Sequence, residues 1–217
     1  VAQYEKDKKL RMMILRPRAD LAQLKKEPNL SHIAAKKIYE IALGRHIPYD
    51  FKMNYKDSSA MFCSEVVSFA YQNEGLPLWK HLSTISDKGV VSWLQAFGVT
   101  NFITQMPSDL EYDPSLIVVA EYKDPETLYK DHIDNAVMDA LITEANAGAE
   151  LDYNIFMLPI ARIIKGYCLL KNAFGKPGII PEGMSATQAL KNENFVKIYN
   201  EARNRTYSQA QKFQQEN

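Results

Sequence analysis

Apolar positions along this chain recur with two different periods, and the balance shifts to the helical one near residue 124. Residues 1–9 are charged and predict a helix end or a loop. Arg11-Met12-Met13-Ile14-Leu15-Arg16 is an apolar run flanked by charges and closed by Pro17, which predicts a strand. Residues 19–26 predict a short helix that Pro28-Asn29 interrupts. Ser31 then suits the cap of a helix through Leu43, with Ile33, Ala34, Ile38 and Ile41 on one face and Gly44 at its end. After a polar loop, 54–59, Phe62-Cys63-Ser64-Glu65-Val66-Val67 opens another helix. Val66, Val67, Ala70 and Tyr71 recur there at the spacing of one buried face, and Gly75 and Pro77 stop it.

The middle of the chain is less regular. Ser86-Asp87-Lys88-Gly89 precedes a short helix over 90–97, and 101–104 reads as a strand. Leu116-Ile117-Val118-Val119-Ala120 is a continuous β-branched run, the pattern of a buried strand. Asp124-Pro125-Glu126 places a cap before a proline at the first helical position, and Leu128, Ile133, Val137, Leu141 and Ala145 follow near one face until Gly148. Residues 151–174 are the most apolar of the chain. Arg162, Lys165 and Lys171 make them unsuited to a bilayer span, so the expectation is a mostly buried helix kinked near Pro159. Docking on a membrane surface is the lesser reading of this stretch. Ser185 caps a last helix, whose polar end from Asn204 onward predicts an exposed, fraying tail.

Composition narrows the function classes. Apolar residues make up 46% and charged ones 24%, ordinary for a globular protein. Lysine plus arginine and aspartate plus glutamate balance at 26 each, and such neutrality gives no argument for nucleic acid as a partner or for a strongly anionic membrane surface. The two cysteines, Cys63 and Cys168, allow one disulfide but do not make a disulfide scaffold; Cys168 sits in the apolar stretch as core packing. His32, His46, His81 and His132 lack the close pairing of metal ligands, so neither a metal site nor a cofactor is expected.

Candidate chemistry centres on Cys63. At the first turn of a helix the positive dipole end favours the thiolate, the nucleophilic form, and free N–H groups face any oxyanion that forms beside the sulfur. Ser64 and Glu65 are polar and acidic first-turn residues that support the helix start. Tyr49 carries a phenol able to donate to an oxyanion or a substrate carbonyl. Asp50 is read first as an acceptor for the N–H groups of the following turn. His46 is the histidine nearest in sequence and serves as fallback base.

Tyr49-Asp50-Phe51, a short polar loop and Phe62-Cys63-Ser64-Glu65-Val66-Val67 resemble the permuted, NlpC-type papain-like cysteine hydrolases, in particular the YiiX/YebB-like group. The likeness runs roughly over residues 10–75. Ala120-Glu121-Tyr122, Asp124-Pro125-Glu126-Thr127 and Gly183-Met184-Ser185-Ala186-Thr187 resemble a longer bacterial subgroup with a helical extension. The resemblance implies an α+β fold: a small antiparallel sheet packed on helices over 1–123, with a helical extension over 124–217. It implies Cys63 as nucleophile, with Tyr49 and Ser64 at the oxyanion or substrate. It places the histidine base ahead of the cysteine, and since no such signature precedes Cys63, the base is expected upstream of Val1. The function expected is cysteine-dependent hydrolysis or acyl transfer on a peptide, small-molecule or lipid acyl substrate. Its rival is a catalytically silent member acting as an interaction or membrane-docking module. Neither compartment nor oligomeric state follows from the residues.

Overall fold

The computed structural model describes residues 11–216, with the backbone alone for Arg11, Pro125 and Glu126. The expectation for 1–9 lies outside the described residues. In chain order the elements are β1 (Arg11–Pro17), α1 (Ala22–Lys26), α2 (Leu30–Gly44), α3 (Cys63–Gln72), β2 (Ser83–Thr84), α4 (Lys88–Ala96) and β3 (Ile103–Thr104). A 3-10 turn, Pro107–Tyr112, leads to β4 (Leu116–Lys123), and the helices α5 (Pro125–Asn146), α6 (Leu158–Ala173) and α7 (Ala186–Glu216) complete the chain. The protein is α+β. Its described residues divide into two compact units: Met13–Ile85 with Thr100–Tyr122, and Ser86–Val99 with residues 123–216. The segment Ser86–Val99, read above as part of the 1–123 core, thus packs within the helical unit.

The first unit holds the β2-β3 sheet and most of the β1-β4 sheet. β1 pairs with β4, and just beyond their shared end Arg18 N–H donates to the Ser115 carbonyl at 2.9 Å, so the strands run antiparallel. β2 and β3 pair antiparallel, Ser83 opposite Thr104 and Thr84 opposite Ile103. The core lies around Leu30, Leu76, Leu78 and Trp79, with Leu21, Leu24 and Leu116 packed on it. Trp79 takes a left-handed backbone, φ +54°, uncommon for a large side chain. Asp113 holds it there: one carboxylate oxygen accepts Trp79 N–H at 2.8 Å, the other Ser115 N–H at 2.8 Å. The indole N–H donates to the Met106 carbonyl at 2.9 Å, so the ring is buried without an orphaned donor.

The strand expected at 116–120 forms, but not as a buried one. Ile117, Val118 and Val119, which alternate between the two faces of this two-stranded sheet, are all close to half exposed. The helix expected from Ser31 begins a residue earlier, at Leu30 after Asn29, so Ser31 lies inside it.

In the second unit α4, α5 and α7 enclose Trp93, Ile133, Val137, Leu141, Ala145, Leu151 and Ala202. Leu128, expected on the same face, is exposed. Asp87 caps α4 by accepting Val90 N–H at 3.0 Å. At Gly89 the helices come so close that an added Cβ would stand 2.4 Å from the backbone carbon of Ala145. Ser185 caps α7 reciprocally with Gln188, N–H to side-chain oxygen in both directions, at 2.7 and 3.2 Å. The tail past Asn204 does not fray as expected: Tyr207 and Ala210 pack against this core and the helix runs to Glu216. The helix over 158–173 also departs from expectation. Pro159 sits in its first turn, where no N–H is needed, so it starts the helix rather than kinking it. Only Ala161 and Cys168 of α6 are buried, so the expectation of a mostly buried helix is corrected: burial stops at one narrow stripe.

Candidate functional site

The site begins with a short piece of backbone pairing. Tyr49 and Met61 form an isolated parallel bridge, Asp50 N–H donating to the Met61 carbonyl at 3.2 Å and Met61 N–H to the Pro48 carbonyl at 3.0 Å. This closes the loop 50–60 and brings Tyr49 beside the start of α3. Within the loop the buried Asp50 carboxylate accepts Lys52 N–H at 2.8 Å and Asn54 N–H at 2.6 Å, while Met53 turns the chain at φ +57°. Asp50 therefore shapes the loop, and its oxygens are occupied by backbone donors.

Cys63 is the first residue of α3 and is exposed; it follows Phe62 in extended conformation, φ −99° and ψ 168°. The N–H groups of Cys63, Ser64 and Glu65 come before any carbonyl of their own helix can reach them. Tyr49 is 51% exposed. Desolvation first, then coulombic repulsion from neighbouring Cys63 and Asp50, hold its phenol above the ordinary value, so it remains a proton donor at neutral pH. Cys63 and Tyr49 thus bring together a sulfur, first-turn N–H groups that no carbonyl of their own helix reaches, and a phenolic donor.

The rest of α3 differs from the periodicity reading. The expected buried face of Val66 and Val67 is exposed, at 36% and 37%, and the buried residues are Ser64, Glu65 and Ser68. Ser64 does not offer its hydroxyl to a substrate. That hydroxyl is buried and donates to the Gln105 carbonyl at 2.6 Å, so what Ser64 can present is its backbone N–H. Ser68 Oγ accepts from the Gln105 side chain at 3.3 Å, and the helix is pinned by polar contacts along its inner side. Val66 and Val67, three and four positions after Cys63, lie on the sulfur's own face and form an apolar shoulder next to it.

Glu65 is the most perturbed group of the site. Its carboxylate accepts the Phe62 backbone N–H, the acidic half of a helix cap, while Oε2 is buried with no hydrogen-bond partner. Burial, helped by the charges of Asp50 and Asp57, outweighs the Phe62 bond and raises Glu65 from 4.5 to about 7. Glu65 supports the helix start as expected, at an electrostatic cost. It also lines a cleft of about 550 Å³ with Ser68, Gln72, Lys56 and Gln105. That cleft follows the stripe of α3 lying roughly 200° round the helix from Cys63. Sequence reasoning singled out neither Ser68 nor Gln105; their pairing spans 37 residues and leaves no periodic signal.

His46 stands exposed in the extended stretch between α2 and the Tyr49 bridge. Among the described residues no group of three or more His, Cys, Asp or Glu side chains is arranged to hold a metal ion. The two cysteines are unpaired, with Cys168 fully buried. Compared with protein-family models, curated proteins and solved structures, the chain finds no match.

Proposed function

We propose that this protein is a cysteine-dependent hydrolase or acyltransferase acting on an amide or ester. The observation that carries the reading is an exposed sulfur at the first position of a ten-residue helix, beside a phenol that stays protonated. In this reading a permuted papain-like, NlpC-type arrangement supplies the frame. The thiol proton passes to a histidine base, and the sulfur attacks the substrate carbonyl carbon to form a tetrahedral oxyanion. Backbone N–H groups of Cys63 and Ser64 and the Tyr49 hydroxyl donate to that oxyanion. Its collapse breaks the bond to the leaving amine or alcohol, which takes the proton from the base. Water or an acceptor nucleophile then releases the acyl group from the thioester. The shoulder of Val66 and Val67 favours a substrate that is apolar next to the scissile carbonyl.

The test is the reactivity of Cys63 in native protein at neutral pH. Iodoacetamide is expected to alkylate it faster than an ordinary exposed thiol, and a chromogenic acyl ester to leave an acyl adduct on it, lost in Cys63→Ser. Alkylation no faster than that of a thiol in an unstructured peptide, with no adduct, would remove the basis of the reading.

A further inference from the structure

The helical unit leaves one face of α6 bare, and this face does not depend on any chemistry at Cys63. Ile160, Ile163, Tyr167 and Leu170 follow one another at steps of three and four residues along one side of the helix, with Phe156 in the 3-10 turn Ile155–Met157 just before it and Phe174 at its C-cap continuing the row. Their exposures run from 49% at Ile160 through 74% at Ile163 to 84% at Phe156. Isolated exposed apolar residues are common, but a continuous row of this kind marks an interaction surface.

The opposite side of the same helix is firmly held. Ala161 and Cys168 are buried, and Gly178 approaches so closely that a Cβ there would come 2.4 Å from the Cys168 Cβ. Lys165 Nζ donates to the carbonyls of Pro181 and Glu182 at 2.8 and 2.9 Å. The row is therefore presented by an anchored helix.

Charge identifies the occupant. Between Asp152 and Glu182 the chain carries Arg162, Lys165, Lys171 and Lys176 and no acidic residue, although its total charge is zero. A second copy seated on this face would set cations against cations. An anionic surface is complemented, each nearby lysine or arginine adding about 1 kcal/mol of attraction. At 16 residues α6 is about 24 Å long, short of the ~30 Å hydrocarbon core, and no described helix is long and apolar enough to cross a membrane. We propose that α6 docks the protein on an anionic lipid membrane, lying in the interface with the row from Phe156 to Phe174 among the acyl chains and with Arg162 and Lys171 at the headgroups, while Lys165 stays on the anchored side.

The experiment is co-sedimentation of the full chain with phosphatidylcholine vesicles, with and without phosphatidylserine. Wild type is expected to bind the vesicles containing phosphatidylserine, more weakly as salt rises. Ile163→Glu with Leu170→Glu should weaken binding at least tenfold, since two apolar side chains would lose their burial. Arg162→Glu with Lys171→Glu should lower it specifically on the phosphatidylserine vesicles. Arg162, Ile163 and Leu170 are exposed and Lys171 is half-buried, and circular dichroism checks that the fold is kept. A Tyr167→Trp reporter, whose emission should shift to the blue on vesicles, reads insertion without removing any apolar contact. Absence of binding to the phosphatidylserine vesicles, or equal binding by wild type and the Glu double variant, overturns the proposal. So does a wild-type dimer in sedimentation velocity that this variant converts to monomer without any lipid binding.

Discussion

Glu65 makes the stability of the first unit depend on pH in a direction opposite to most carboxylates. Its value rises from 4.5 in the unfolded chain to about 7 in the folded one, because burial disfavours the charged form. A group whose folded value is raised contributes its full stability below the unfolded value and loses it as pH climbs through the folded value. Stability should therefore fall between pH 4.5 and about 7. At 1.36 kcal/mol for each pH unit, the span between the two values sets an upper limit of about 3 kcal/mol, which solvent in the cleft that Glu65 lines reduces to about 1–2 kcal/mol. Glu65→Gln keeps an oxygen for the Phe62 N–H and removes the charge, so it should abolish this dependence. Trp79 lies in the unit that contains Glu65 and Trp93 in the other, so urea unfolding followed by fluorescence in a Trp93→Phe background reports the right unit. The expected result is near coincidence of the Glu and Gln forms at pH 4.5 and a Gln form more stable by about 1–2 kcal/mol at pH 8. Curves that stay parallel across that range would refute the argument, since they would mean that Glu65 is solvated or finds a compensating donor.

Other outcomes follow from particular contacts. Gly89→Ala puts a methyl 2.4 Å from the Ala145 backbone, which has no flexible end to yield, and should cost about 1–3 kcal/mol in thermal unfolding. Asp113→Ala leaves Trp79 N–H and Ser115 N–H buried without their acceptor and releases a left-handed residue; chemical denaturation should show a loss of about 2–4 kcal/mol. Under the proposed chemistry Tyr49→Phe removes one oxyanion donor and should lower kcat by about 10²-fold with iodoacetamide labelling of Cys63 retained. Cys168, fully buried, should resist the same reagent until the chain is unfolded, as peptide mapping can read directly.

Local signals in the chain were legible wherever one residue type does one local job. Pro17 closes β1, Asp87 caps α4, Asp124-Pro125 starts α5, Gly148 at φ +91° follows its end and Ser185 caps α7, all within a few residues of where the pattern places them. The placement of Cys63 at a helix start and of Asp50 as a turn acceptor was legible for the same reason: both depend on neighbours within a few positions. Apolar spacing, by contrast, told that α3 and α6 are helices but not which side is covered. In α3 the inner side is polar, because Gln105, far along the chain, meets Ser64 and Ser68 with hydrogen bonds that no periodicity encodes. In α6 apolar residues run almost all the way round, and a helix can cover only the side that another element reaches. What the amino-acid order determined alone is where several of the elements begin and end, since capping and turn chemistry act over a single turn. Which faces are sealed, which carboxylate is starved of water and which apolar row is left outside were decided by contacts between residues tens of positions apart, and only the folded chain brings those together.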